Sequence, residues 1–241
     1  MPRLASACLL ACAAALAGCF TLRSTVTVRA DGSGTVTETL ALSGAARRMM
    51  ASGDAPLSTA EALLARAARL GDGVTLVRTD TAGGVRTTVY TFSDVARLRY
   101  HLPDNASEPA DVASAAGVPP LVTFGFEPAA GDAPAALRIV VPAPPDGPHA
   151  APDSAAAAQA VQNLALARLL LGGARATVEV VAGADTTAVL DLAFGPLFDL
   201  VEANPTLALY GSPPLGEVRR LAAGRPGLAV LAPGTTTVRF R

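Results

Sequence analysis

Apolar and polar residues alternate along the chain soon after residue 20. Residues 22–29 and 35–42 alternate with the period of a β-strand. One face of the first carries Leu22, Ser24, Val26 and Val28, and one face of the second carries Val36, Glu38, Leu40 and Leu42. The sequence Asp31-Gly32-Ser33-Gly34 between them is typical of a tight turn. The two segments are therefore predicted to form a β-hairpin.

Two further strand pairs and a helix are predicted before residue 142. Residues 74–79 and 85–92 flank a turn at Ala82-Gly83-Gly84, and residues 121–126 precede a strand over 137–141. A capping sequence begins at Ser58, and apolar residues then recur at helical spacing until a glycine at 71 or 73 ends the helix. Short helical segments are expected over 44–52 and 93–98, and residues 101–120 have the polar, Pro-rich and Ala-rich composition of a loop.

The second half of the chain repeats the same kinds of element. Residues 142–153 are rich in proline and predict a stiff connector. A helix over 154–171, a hairpin of 174–181 with 186–192, and helices over 194–202 and 215–223 follow. Residues 228–231 and 235–240 flank Pro233-Gly234 and are expected to close the fold as a last hairpin.

This order of elements predicts an α+β fold. Hairpins alternate with helices, and no series of single strands and helices indicates a doubly wound parallel sheet. We expect an antiparallel sheet built from hairpins, with helices packed on one face. The predicted organisation is a leader (1–18), an N-terminal α+β region (19–141), the connector (142–153) and a C-terminal α+β region (154–241). The connector either separates two subdomains or joins two halves of one sheet.

The first nineteen residues have the pattern of an export signal. Arg3 provides a positive start, and residues 4–16 form an apolar segment shorter than the roughly 20 residues that span a bilayer. Leu16-Ala17-Gly18-Cys19 resembles the lipobox of bacterial lipoproteins. The resemblance implies removal of residues 1–18, acylation of Cys19, and a lipid anchor in the cell membrane or the outer membrane, facing the periplasm or the outside. Phe20 follows where the family's inner-membrane retention signal has Asp, which favours the outer membrane in a cell with two membranes.

Composition and charge agree with an exported protein and narrow its partners. Cys8 and Cys12 would leave with the leader, so the mature chain keeps Cys19 alone and has no disulfide. The formal net charge of the whole chain is −1, and no basic stripe indicates nucleic-acid binding. The expected partners are therefore the membrane, through the acylated Cys19, and either an envelope protein or a lipid.

Beyond the lipobox, the order of elements resembles uncharacterised bacterial lipoproteins, including LppM-like chains. The shared features are a strand directly after the cysteine, the Asp-Gly-Ser-Gly hairpin, the 174–192 hairpin followed by a short helix, and the ending Val238-Arg239-Phe240. The resemblance implies an envelope location and an α+β domain. It carries no catalytic residues.

Few residues suggest chemistry. His101 and His149 each lie in a loop near proline without a second metal-binding residue at a suitable spacing, and Ser33 lies in a turn rather than in a nucleophile elbow. Asp31, Ser33 and Thr35 alternate oxygen ligands as in a calcium loop, but position twelve is a leucine. The acids Glu38, Glu179 and Asp191 are expected on the solvent faces of strands. No cofactor motif, metal site or catalytic residue is predicted.

One helix is suggestive of binding. Leu164, Leu166, Leu169 and Leu170 crowd the end of the predicted 154–171 helix on more than one face. A helix buried in the core explains them, and a wall of a lipid-receiving groove is the functional alternative. The leading hypothesis is a non-enzymatic envelope lipoprotein with a binding or structural role. The alternatives are a carrier of a lipid or other hydrophobic ligand, and a hydrolase with an unrecognised site.

Overall fold

The computed structural model describes residues 20–44, 59–102, 120–143, 164–165, 168, 171–204 and 220–241. Its strands are β1 (Phe20–Val28), β2 (Gly34–Leu42), β3 (Thr75–Ala82), β4 (Val85–Phe92), β5 (Arg99–Tyr100), β6 (Val122–Glu127), β7 (Ala135–Val141), β8 (Arg175–Ala182), β9 (Asp185–Ala193), β10 (Leu228–Val230) and β11 (Gly234–Phe240). Helix α1 spans Ala60–Leu70, helix α2 spans Phe194–Ala203, and a 3₁₀ turn spans Val95–Arg97. This part of the chain is predominantly β-structure with a few helices.

The strands form two sheets. The first has seven strands in the order β10-β9-β8-β1-β2-β4-β3, and the second has four in the order β11-β7-β6-β5. The predicted hairpins β1–β2, β3–β4, β6–β7 and β8–β9 are all present as antiparallel pairs. Local alternation and turn residues were sufficient to identify them because each pair is joined by a short connection.

The prediction of a purely antiparallel sheet is wrong at its centre. Strands β1 and β8 are parallel, from Thr21 opposite Arg175 to Val28 opposite Ala182. A parallel pair needs a long connection between its strands, and more than 140 residues separate β1 from β8. Alternation within each strand cannot reveal this partner.

The prediction of a closing hairpin over residues 228–240 is also wrong. Strand β10 pairs with β9 in the seven-stranded sheet, whereas β11 pairs with β7 in the four-stranded sheet. The residues around Pro233-Gly234 therefore carry the chain from one sheet to the other. Both sheets contain strands from before and after residues 142–153.

The main core lies between the two sheets. Val26, Val36 and Phe92 of the large sheet and Leu137 and Ile139 of the small sheet belong to one buried cluster. A second, smaller cluster holds Leu200, Val201, Ala222 and Leu228, and the partly buried Leu164 packs against it. Helix α2 is thus fixed to the edge of the large sheet at β9 and β10.

Helix α1 covers the other half of the large sheet. The Thr59 side chain accepts a hydrogen bond from the amide of Ala62 (3.1 Å), which caps the helix one residue after the Ser58 at which the capping sequence begins. Leu63, Ala67 and Leu70 face inward, but so does Arg66. The buried arginine marks the site described next.

Candidate functional site

A cluster of polar side chains lies buried between α1, the large sheet and β5 of the small sheet. We define the Glu38 cluster as Ser24, Glu38, Arg66, Tyr90 and Tyr100. Ser24, Tyr90 and Tyr100 have no exposed surface, and Glu38 and Arg66 are 8% and 5% exposed. Charged residues are rarely buried unless they are paired, so the contacts within the cluster decide its role.

The strand registers bring its sheet members together. Ser24 of β1 is opposite Glu38 of β2, and Glu38 is opposite the buried Thr88 of β4. Tyr90 lies two residues along β4, opposite Val36. These positions share the parity of the core residues, and side chains two apart on a strand point to the same face. Glu38 therefore lies on the core face, and the expectation of a solvent-exposed Glu38 is wrong.

Arg66 joins the helix to the sheet through a charged pair. Its Nε and Nη2 atoms donate to Oε1 of Glu38 at 3.2 and 2.6 Å, and Nη2 also donates to the carbonyl oxygen of His101 at 2.6 Å. The guanidinium carbon lies 5.4 Å from the ring centre of Tyr100, within cation–π range. One side chain thus links α1, β2 and the segment after β5.

The electrostatics of the cluster keep the guanidinium of Arg66 charged and the phenols neutral. Burial disfavours the charged guanidinium, but the charge and hydrogen bonds of Glu38 outweigh it and raise the pKa of Arg66. Burial, helped by the negative charge of Glu38, raises the pKa of Tyr90 to about 12. The same two causes raise the pKa of Tyr100 well above its usual range, while Arg66 opposes them.

Four buried atoms of the cluster make no hydrogen bond of standard geometry within the described residues. They are Ser24 Oγ, Arg66 Nη1, and the hydroxyls of Tyr90 and Tyr100. Arg66 Nη1 can only donate, whereas the three hydroxyls can both donate and accept. Because its members are closed off from solvent, Ser24 is not placed as an accessible nucleophile. The arrangement is suited to holding α1 on the sheet.

A shallow apolar groove lies on the outer side of the same helix. It has a volume of about 410 Å³ and is bordered by Leu64, Ala68, Val74 and Leu76. Leu64 is 59% exposed. This groove runs along the edge strand of the large sheet.

A third feature is the end of the large sheet where β1 begins. The ring of Phe20 contacts that of Phe194 edge-on at 5.9 Å, and Phe194 contacts Phe198 at 6.4 Å. Phe20 is opposite Leu42 in the β1–β2 register. An aromatic and aliphatic group thus lies one residue away from position 19.

The residues singled out in the sequence are only partly within the described ranges. The lipobox residues Leu16, Ala17 and Gly18, the lipidation residue Cys19, and His149 lie outside them. So do Leu166, Leu169 and Leu170, whereas Leu164 packs in the second core cluster. His101 is half-buried, and its carbonyl serves Arg66.

The turn residues behave as the turn hypothesis predicts. The carboxylate of Asp31 accepts hydrogen bonds from the hydroxyl of Ser33 at 2.7 Å and from its amide at 2.9 Å. These bonds lower the pKa of Asp31. Among the described residues, no group of three or more His, Cys, Asp or Glu side chains is placed to hold a metal ion.

The prediction that Asp191 and Glu179 lie on solvent faces of strands is confirmed, because both are partly exposed and pair with arginines. Asp191 accepts from Arg175 through both carboxylate oxygens, at 2.8 and 2.6 Å, and Glu179 accepts from Arg23 at 2.9 Å. The bonds from Arg175 lower the pKa of Asp191. The Glu38 cluster was missed, although the parity of Glu38 with Val36 and Leu40 was visible in the sequence.

Comparisons with known proteins identify little. No protein-family model matches the chain, and no curated protein matches it. Among solved structures, the NMR structure of the folded domain of LppM from Mycobacterium tuberculosis has 13% identity to this chain. The match covers 69% of this chain and 71% of that one, with a TM-score of 0.25. Within the described ranges, no helix has the length and apolar character needed to cross a bilayer.

Proposed function

We propose that this chain is a lipid-anchored lipoprotein of the bacterial cell envelope, with a binding or structural role rather than a catalytic one. The observation that carries the proposal is the position of the lipobox relative to the fold. Residues 16–19 resemble a lipobox, and β1 begins at Phe20. An acyl anchor on Cys19 would therefore attach to the first strand without a flexible linker.

Such an attachment suits a domain that works close to a membrane. A linker of many residues would let the domain move away from the bilayer, whereas a single peptide bond keeps Phe20 within about 3.8 Å of the Cys19 α-carbon. The closed Glu38 cluster supports a non-catalytic role, because its hydroxyl and carboxylate are buried. The absence of Asp after Cys19 favours the outer membrane where a second membrane is present.

The test is to produce the full chain in a bacterium that matures lipoproteins. Mass spectrometry of the N-terminal tryptic peptide, residues 19–23, is expected to show cleavage before Cys19 and acylation of its amine and thiol. The protein is expected in the membrane fraction. An inhibitor of the lipoprotein signal peptidase should leave the leader attached.

Two cysteine variants make the result specific. Cys19→Ser should abolish acylation, whereas the matched control Cys12→Ser, in the leader, should be processed normally. A mature protein that begins elsewhere, or an unmodified Cys19 in the membrane fraction, would refute the proposal.

A second function, binding of a hydrophobic ligand, is favoured by the groove beside α1. Its volume of about 410 Å³ lies within the ~300–1,000 Å³ typical of small-molecule pockets. The exposed Leu64 would contact such a ligand directly. The residues that border this groove lie between 64 and 76, outside the predicted 154–171 helix whose leucines also suggested a lipid-receiving groove.

Native mass spectrometry with lipid extraction tests this second function. A stoichiometric bound lipid that is lost in Leu64→Asn but kept in Leu102→Asn would support it. Leu102 is the matched control because it is 38% exposed and does not border the groove. A clean apoprotein mass for the wild-type chain would exclude a tightly held ligand.

A further inference from the structure

The large sheet has a polarity gradient along its strands. We number its cross-strand rows by the β1 residue that each contains, so that row 20 lies at the end next to Cys19 and row 28 at the opposite end. Rows are about 3.3 Å apart, so the two ends are separated by roughly 26 Å. The side chains change systematically from row 20 inward.

The first two rows hold an apolar rim, which we define as Phe20, Leu42, Val85 and Phe194. Phe20 and Leu42 are opposite each other in row 20, and Val85 is opposite Ala41 in row 21. The amide of Phe194 donates to the carbonyl of Ala174 (3.0 Å), which sets its ring beside that of Phe20. All four side chains keep part of their surface exposed.

Arginines occur from the second row of this rim inward. Arg175 lies in row 21, Arg86 in row 22 and Arg23 in row 23. They are three of the four arginines on the strands of this sheet, the fourth being Arg78 in row 25. We refer to these three residues as the arginine rows.

Acidic residues on the strands of this sheet begin only at row 23. Asp80 and Asp191 lie in row 23, Glu38 in row 24 and Glu179 in row 25. The ion pair of Arg23 with Glu179 therefore reaches away from the rim. Aromatic and aliphatic residues at a tip, with cations behind them and anions farther back, match the polarity profile of a phospholipid interface.

We propose that this end of the large sheet docks on the phospholipid bilayer, with the apolar rim in the interface and the arginine rows at the level of the phosphates. The proposal deepens the proposed function, because the lipid on Cys19 supplies the tether. The arginine rows lie about 3–10 Å behind row 20, comparable with the roughly 5–10 Å to which interfacial apolar faces are buried. A lipid on Cys19, one residue from the rim, would keep the rim close to the bilayer and so raise the effective concentration for docking.

The natural absence of tryptophan allows a direct test. The chain 19–241 is coupled through the Cys19 thiol to a maleimide phospholipid in vesicles of neutral and anionic phospholipid with brominated acyl chains. A single tryptophan is introduced by Phe194→Trp or Val85→Trp. Phe194 contacts Phe20 and therefore lies close to the tether, whereas Val85 lies on β4, two strands from β1, and so reports more independently on the orientation of this end of the sheet. Phe126→Trp is the matched control, because the Phe126 ring packs on Gly32 beyond row 28, at the opposite end of β1.

Brominated lipid should reduce tryptophan emission at positions 194 and 85 by about half or more, with a blue shift, as expected for side chains at interfacial depth. Emission at position 126 should be unchanged. Equal quenching at all three positions, or none at positions 194 and 85, would overturn the proposal, as would a solution dimer that shields position 194. Far-UV circular dichroism confirms that each variant is folded.

Chemical coupling keeps this test separate from that of the proposed function. If Cys19 is not acylated in cells, the proposed function fails, but the quenching pattern still reports which end of the sheet contacts lipid. If Cys19 is acylated and the pattern is uniform, the anchor stands and the docked orientation is wrong.

Discussion

The buried pair between Arg66 and Glu38 makes a sharp stability prediction. Arg66→Met removes three hydrogen bonds and leaves the carboxylate of Glu38, which is 8% exposed, without its hydrogen-bonded arginine partner. Removing one partner of a buried ion pair typically costs about 3–5 kcal/mol. We therefore expect the free energy of unfolding to fall by about that amount, with α1 detached or the whole fold lost.

The double variant tests whether the cost comes from the orphaned charge. Replacing both residues, as Glu38→Leu with Arg66→Met, leaves no buried charge, and such apolar replacements of buried pairs are often neutral or stabilising by about 1–4 kcal/mol. The double variant should therefore be more stable than Arg66→Met alone. This reversal distinguishes electrostatics from packing, because lost packing would make the double variant worse.

A surface pair provides the control. Arg23→Met breaks the ion pair with Glu179, but the Arg23 side chain is 63% exposed, and exposed pairs contribute only about 0–1 kcal/mol. Urea denaturation followed by far-UV circular dichroism measures the wild type, the single variants Arg66→Met, Glu38→Leu and Arg23→Met, and the double variant. The electrostatic account would be refuted if Arg66→Met cost no more than Arg23→Met, or if the double variant lost as much as the sum of its single changes.

Three further predictions test other parts of the fold. Tyr90 and Tyr100 should resist ionisation, so the folded protein at pH 11 should show less tyrosinate absorbance than the denatured protein. Because the pKa of Tyr90 is raised from about 10 to about 12, the free energy of unfolding should fall as the pH rises through that window. The fall should be less steep in Tyr90→Phe. Gly34→Ala should lower the free energy of unfolding by about 1–3 kcal/mol or more, because a Cβ there would overlap the Thr27 carbonyl oxygen. The control Gly125→Ala would make only ordinary van der Waals contacts, so its effect in a thermal melt should be mild. Leu200→Ala, in the second core cluster, should cost about 2–5 kcal/mol by urea denaturation, and a loss below 1 kcal/mol would show that the cluster does not hold α2.

Short-range elements of this fold could be predicted from the sequence, and long-range partners could not. Alternation with an intervening turn identifies β1 and β2 because the sequence itself joins them. The pairing of β1 with β8 depends instead on which open sheet edge a distant strand reaches. The same limit on prediction applies to β10 and β11, because the three residues between them carry the chain from one sheet to the other. Local pattern specifies a strand and its inward face, whereas competition among edges decides its neighbour.

The candidate site follows the same rule, with one informative exception. Glu38 shares its parity with Val36 and Leu40, so the pattern alone was sufficient to assign its carboxylate to the buried face, contrary to our expectation of a solvent-exposed residue. A charged residue at such a position requires a buried partner, since an unpaired buried charge is very costly. Arg66 likewise interrupts an apolar stripe, with Leu63, Ala67 and Leu70 around it. Two opposite charges on two buried faces predict each other, and this inference needs no knowledge of the topology.

The apolar rim could not be found in this way. Its four residues belong to four segments spread from position 20 to position 194, and each alone is an ordinary strand or helix end. They meet only because β1 pairs with β2 and β8, β2 with β4, and β8 with β9, in registers that end together. The sequence does show which end of the sheet lies next to the predicted lipid, because Cys19 adjoins row 20 rather than row 28. A lipobox next to the opposite end of β1 would instead place the Asp31 turn at the bilayer. The proposed orientation therefore depends on joining one local motif to one long-range register.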